Sequence, residues 1–313
     1  MKFDSTFKAA VLLIICTFFW GSCFPIGKLV LNEVHALTLV FWRFIIAASC
    51  LAIYLKAARM PKPYLSLWQW CWVIAVSVVG VGGLNLCLFT GLAYTNATNG
   101  SLIMALSPLM TSLITCIALR TLPSFAQCFS LLVSLTGVLI VITNGHPKEL
   151  LSMQINHGDK LIFCGMLAWS LYTYFSQGIS RWMPVISYTF VGMLSGATVI
   201  GAMCLASPEV LPFTELWNSS ALGVSEVVYI GVFGTVAGYL LWLNGVRHLG
   251  SANAALFFNF VPIFSALTSF MLGQAVTPLQ LIGIAIVIAG LLLPCIKSLN
   301  ARREPALNFK SGT

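Results

Sequence analysis

Arg43 and Glu226 are charged side chains of this 313-residue chain that fall inside long apolar stretches, in the segments FWRFIIAA and GVSEVVYI. A charge at membrane depth is costly unless it is paired, solvated or used. Both lie toward the outer side in the topology derived below, where a mutual ion pair would lower that cost; proton coupling through Glu226 is the functional reading and a structural or solvated role the alternative. Glu226 is shallow enough to snorkel to water instead.

Aromatic and amide side chains recur at helical spacing: Trp20 with Phe24, Asn85 with Phe89, Trp169 with Tyr172, and Tyr239 with Trp242. Residues three or four apart share a helix face. Trp and Tyr in membrane helices concentrate at the interfaces, yet these lie well within their stretches. They point to an aromatic substrate cavity, with ordinary core packing as the alternative. Pro108 and Pro262 fall near the middle of theirs, where a missing N–H and a bulky ring leave the carbonyls of Met104 and Phe258 short of partners. Such carbonyls suit a substrate cavity, and a simple packing kink is the alternative. Asn99 and Asn253 stand near the starts of the same stretches, as helix caps or as gates bonded to a neighbouring helix. Asn259 does not share a face with Asn253; in a cavity it needs a substrate or a polar partner of its own.

Other chemistries lack their residues. His35, His146, His157 and His248 fall in loops or at span ends, the cysteines lie mostly within apolar stretches without a CxxC pair, and no Ser/His or HExxH constellation occurs. No metal, cofactor or catalytic group is therefore expected. Gly80-Val81-Gly82-Gly83 sits inside an apolar stretch with no strand before it, so it is not a nucleotide loop. A polyanionic substrate would need several buried cations, which leaves neutral, zwitterionic or aromatic small molecules.

The elements that must position these residues are helices in a bilayer. The chain is 59% hydrophobic and 8% charged, with a mean hydropathy of +0.95, and about 20 apolar residues cross a hydrocarbon core. Ten stretches qualify: 9–28, 36–55, 71–93, 98–119, 125–143, 160–177, 185–205, 222–245, 251–272 and 277–296. Their runs are continuous rather than alternating, which excludes a β-barrel. With the N-terminus inside, the inner segments collect twelve Lys and Arg residues and the outer ones only Lys28, Lys148 and Lys160. This positive-inside bias puts both termini in the cytoplasm. It also accounts for the net charge of +8 without a nucleic-acid partner. The first stretch is expected to be a span rather than a cleaved signal.

The chain also repeats itself. Gly91 to Ile114 lies over Gly245 to Thr268 at an offset of 154, with Gly91/Gly245, Asn99/Asn253, Leu102/Leu256, Pro108/Pro262 and Leu113/Leu267 identical. Trp20 and Trp169 correspond more loosely. Two units follow, 1–145 and 146–313. Each holds five spans, an odd number, so the second enters the membrane from the opposite side. The expected fold is an all-α polytopic membrane protein of ten transmembrane helices in two inverted five-helix repeats, with its site where they meet.

The segments FFWGSCFPIGK, Arg43-Phe44, GLAYTNATNGSLIMALSPL and GYLLWLNGVRHLGSANAALFFNFVPIFSAL resemble EamA-type transporters of the drug/metabolite transporter superfamily. The resemblance covers nearly the whole chain. It implies ten spans, both ends inside, and transport, often export, of small metabolites such as amino acids. A Glu that the family often carries after spans 4 and 9 is absent: Arg120-Thr121 and Gly273-Gln274 stand there. The expectation is a multi-pass secondary transporter of a bacterial cytoplasmic membrane, working by alternating access on a small-molecule substrate. A non-transporting scaffold or sensor subunit is the alternative.

Overall fold

The computed structural model describes residues 2–95, 97–123, 125–143 and 156–273, with scattered positions between 278 and 289. Most of the expected span 277–296 and the side chain of Asn99 lie outside the described set. Within it the ordered elements are helices: α1 Lys2–Val30, α2 Ala36–Ala57, α3 Leu67–Tyr94, α4 Ala97–Met104, α5 Ser107–Leu119, α6 Phe125–Thr143, α7 His157–Ile179, α8 Val185–Ala206, α9 Pro212–Asn218, α10 Ala221–Leu249, α11 Ser251–Leu256 and α12 Phe260–Met271. Six stretches are long and apolar enough to cross a membrane: Thr6–Val30, Ala36–Ala57, Leu67–Tyr94, Val185–Ala206, Ala221–Leu249 and Ser251–Met271. Their outward faces keep side chains such as Ile53, Leu205, Leu222 and Phe270 exposed, as a lipid-facing surface requires.

Helix starts follow local chemistry. Ser66 with Gln69, and Asn156 with Asp159, form reciprocal capping boxes at α3 and α7, each satisfying two otherwise orphaned N–H groups.

The prolines act differently from the expected mid-helix kink. Around Pro108 the chain breaks: α4 stops at Met104, Leu106 N–H turns back to Ile103 O, and α5 starts at Ser107 with the proline in its first turn. A first-turn N–H has no helical partner anyway, so proline fits there without loss. Ahead of Pro262 the chain tightens into a 3₁₀ turn over Phe257–Asn259. That break also changes the angular relation of Asn253 to Asn259 assumed for a continuous helix.

Both long third helices contain a π-helical segment, Val78–Gly83 in α3 and Ile230–Ala237 in α10. A widened turn disturbs the regular hydrogen-bond ladder and often marks a functional place. Here it exposes Gly234 O to Trp20 Nε1, which donates to it at 2.8 Å.

The helices meet in reciprocal pairs. The later part of α3 packs on α7 and that of α10 on α1; the π segment of α3 packs on α8 and that of α10 on α2; α5 packs on α7 and α12 on α1. The contacts match residue for residue. A Cβ at Gly91 would press on Gly158 O and Ile162, whereas one at Gly245 would press on Leu13; one at Gly80 meets Tyr172, one at Gly234 meets Cys23. Glycine at each place lets two helices approach closely.

Candidate functional site

The central cavity is lined by residues of α1, α2, α3, α4, α7, α10 and the 3₁₀ turn, among them Trp20, Phe24, Arg43, Asn85, Trp169 and Tyr239. Its volume is about 40 Å³, room for roughly three waters at about 10–15 Å³ each.

Phe89, Met104 and Phe258 complete the expected residues that reach the cavity. Tyr172 and Trp242 stand one layer behind it. Tyr172 stacks on Trp169 at 5.4 Å and on Tyr188 at 5.7 Å, while Trp242 lies 5.2 Å from Trp20 and 5.3 Å from Phe258. Pro108, Pro262 and Asn259 are buried but do not line it. The prolines instead set where α5 begins and how α12 enters. Asn259 is fully buried, and among the described residues neither end of its amide has a hydrogen-bond partner, an arrangement that costs about 1–3 kcal/mol for each unpaired group. The side-chain hydroxyls of Ser107, Thr111 and Thr173 and the indole nitrogens of Trp169 and Trp242 are likewise buried without partners among the described residues.

Two contacts mark the centre. Asn85 Nδ2 donates to Val81 O at 2.8 Å and to Tyr239 Oη at 3.0 Å, the asparagine and tyrosine being 154 positions apart. Trp20 meets Trp169 edge-to-face with centroids 5.2 Å apart. In each contact a residue touches its own counterpart in the sequence repeat.

Arg43 does not pair with Glu226. Its Nε donates to Thr235 Oγ1 at 2.9 Å, and its guanidinium lies 5.0 Å from the centroid of Phe89. Thr235 spends its own O–H on Ile230 O at 2.8 Å, so its lone pairs are free for Arg43. Glu226 is half-buried on α10, with Glu33 as its charged neighbour. The α10 π segment thus brings Thr235, rather than Glu226, to the guanidinium. Asn253 Nδ2 donates to Leu249 O at 3.0 Å, capping the end of α10 rather than the start of its own helix.

Further hydrogen bonds tie helices together. Lys28 Nζ donates to Leu92 O and Thr95 O, both at 2.8 Å, and Thr95 Oγ1 donates to Asp159 at 2.8 Å. Close by in sequence, Glu33 accepts from Ser220 N–H at 2.7 Å and Glu215 from His35 N–H at 2.8 Å. Between α7 and α11, Gln177 Oε1 accepts from Ser251 N–H and Oγ at 3.4 and 3.2 Å. Sequence patterns did not reveal Thr235, Cys23 or these ties. The glycine-rich runs Val78–Gly83 and Ile230–Ala237 were the available signal for the π segments.

Six long apolar helices packed around a small cavity define a multi-pass membrane protein. The chain matches the EamA-like transporter family over residues 7–143 and again over 156–294, and it belongs to that family. It is 29% identical over 289 residues to the uncharacterized transporter YyaM of Bacillus subtilis (strain 168), covering 90% of this chain and 92% of that one. It is 21% identical to a protein of Streptantibioticus cattleyicolor named a probable terminal-alkyne amino-acid exporter, covering 95% and 96% of the two chains. A solved crystal structure shares the fold at a TM-score of 0.68 and 18% identity, covering 91% of this chain and 96% of that one.

Proposed function

We propose that the protein is a secondary transporter, not an enzyme, that exports small neutral or zwitterionic metabolites such as amino acids by alternating access. In this proposal ten spans form two inverted five-span repeats, 1–145 and 146–313. Both termini are cytoplasmic in a bacterial inner membrane. The carrying observation is that the cavity lies where counterpart residues touch, Asn85 on Tyr239 and Trp20 on Trp169. A pseudo-two-fold axis passing between such residues is where two halves can rock about a fixed site. The amino-acid class draws support from the exporter relative and from the aromatic and amide lining.

Purified protein in liposomes should show saturable counterflow of at least one labelled amino acid or related metabolite. Absence of counterflow across a broad panel would leave a scaffold or sensor role instead. Coupling is assigned to Glu226 as the carboxylate of α10. Glu226→Gln should flatten the pH dependence of transport, and an unchanged profile would remove this residue from coupling.

A further inference from the structure

Resting on the transport function above, we infer that the substrate carries a carboxylate and that Arg43 is the residue that selects it. Arg43 is 3% exposed and lines the cavity. Among the described residues it has no carboxylate partner. Its Nε is held by Thr235, and Phe89 lies under its plane. A guanidinium carries five N–H donors and stays charged. Fixing one of them on a neutral hydroxyl leaves the two terminal nitrogens to meet an anion. An unpaired buried charge is strongly unfavourable, and a planar fork matches a carboxylate through two parallel hydrogen bonds.

Other polar groups around the cavity suit the rest of an amino acid. Tyr239 Oη accepts from Asn85 and retains its own O–H to give, and the buried Trp169 Nε1–H has no acceptor. These are further donors toward an anion. Asn85 places both of its amide hydrogens, on Val81 O and Tyr239, leaving Oδ1 to accept from an ammonium. The remaining walls are apolar, and the rings of Trp20, Phe24, Phe89 and Phe258 among them offer faces that also attract a cation. One buried cation fits one carboxylate. It does not fit a polyanion, and a purely neutral solute would leave the charge unanswered.

The test uses the full-length protein in detergent and in liposomes, with matched sets built on alanine, leucine, phenylalanine and tryptophan. Each set comprises the amino acid, its carboxamide and its amino alcohol. Thermal shift and intrinsic tryptophan fluorescence report binding, and counterflow reports transport. At least one acid should bind at least tenfold more tightly than its carboxamide and alcohol. Arg43→Gln should abolish that preference. Arg43→Lys keeps the charge without the fork, and should weaken the acid at least tenfold while remaining folded by size-exclusion chromatography. The wild-type comparison stands even if both variants misfold. Carboxamides or alcohols that bind and exchange as well as the acids would overturn the inference while leaving a transporter. Acids that never bind in any set would also overturn it, and loss of all flux would count against the transport function itself.

Discussion

Glu215 holds two backbone donors, the N–H of His35 at 2.8 Å and that of Leu211 at 3.0 Å, and so ties α9 to the start of α2. Burial is the largest single influence on its carboxyl and pushes the pKa up. The hydrogen bonds, with the field of His35, outweigh it and leave the group below its ordinary 4.5. A pKa lowered by folding contributes stability that is fully present above the unfolded value. That stability is lost as pH falls through the folded value. The melting temperature should therefore drop on acidification below about pH 4.5 by more in the wild type than in Glu215→Gln; parallel melting curves for the two proteins from pH 7 to 3 would rule this out. Single residues show where the sequence was legible. Trp20, Asn85, Trp169 and Tyr239 could be named because helical spacing survives into the fold and sets which side chains share a face. The partner of Arg43 could not, because Thr235 is one of many threonines until a π segment turns it inward.

Helix–helix approach is decided by where a side chain can be spared. At Gly91 a Cβ would sit 2.6 Å from both Gly158 O and Ile162 Cγ1, whereas at Gly178 it would meet nothing within 4 Å. Gly91→Ala should cost about 1–3 kcal/mol by overpacking the α3–α7 contact. Gly178→Ala should be neutral or stabilising by up to about 1 kcal/mol through helix propensity. Unfolding titrations in mixed micelles measure both, and equal effects would mean that the close approach does not limit packing. The sequence marked α2, α8 and α10 to within a few residues, since long apolar runs bounded by polar turns leave little choice. It placed the prolines inside continuous helices and was mistaken there. Hydropathy reports where a chain is apolar but says nothing of a ladder that stops at Met104 and restarts at Ser107.

Across the whole molecule the repeated contacts are alike but not identical. Trp20 Nε1 donates to Gly234 O, while its counterpart Trp169 Nε1 has no partner; the matching acceptor for Trp169 would be Gly80 O. In the proposed mechanism the two halves rock against each other around the site, and we expect their asymmetric contacts to exchange as they do so. A second conformational state should then show Trp169 bonded to Gly80 O and Trp20 released. Finding Trp20 on Gly234 and Trp169 unpaired in both states would show that the indoles take no part in the exchange. The duplication was legible from five identical pairs, but that counterparts touch each other emerges only in three dimensions. Arg43 is where the likeness fails outright: α2 and α8 are each 22 residues long, and the same place in α8 is occupied by Gly192. In the proposed rocking the two repeats would swap shapes, but the guanidinium could not move from one to the other. A carboxylate anchored there, as inferred above, would then cross as on a turntable with a single marked seat, facing the same repeat at entry and at exit.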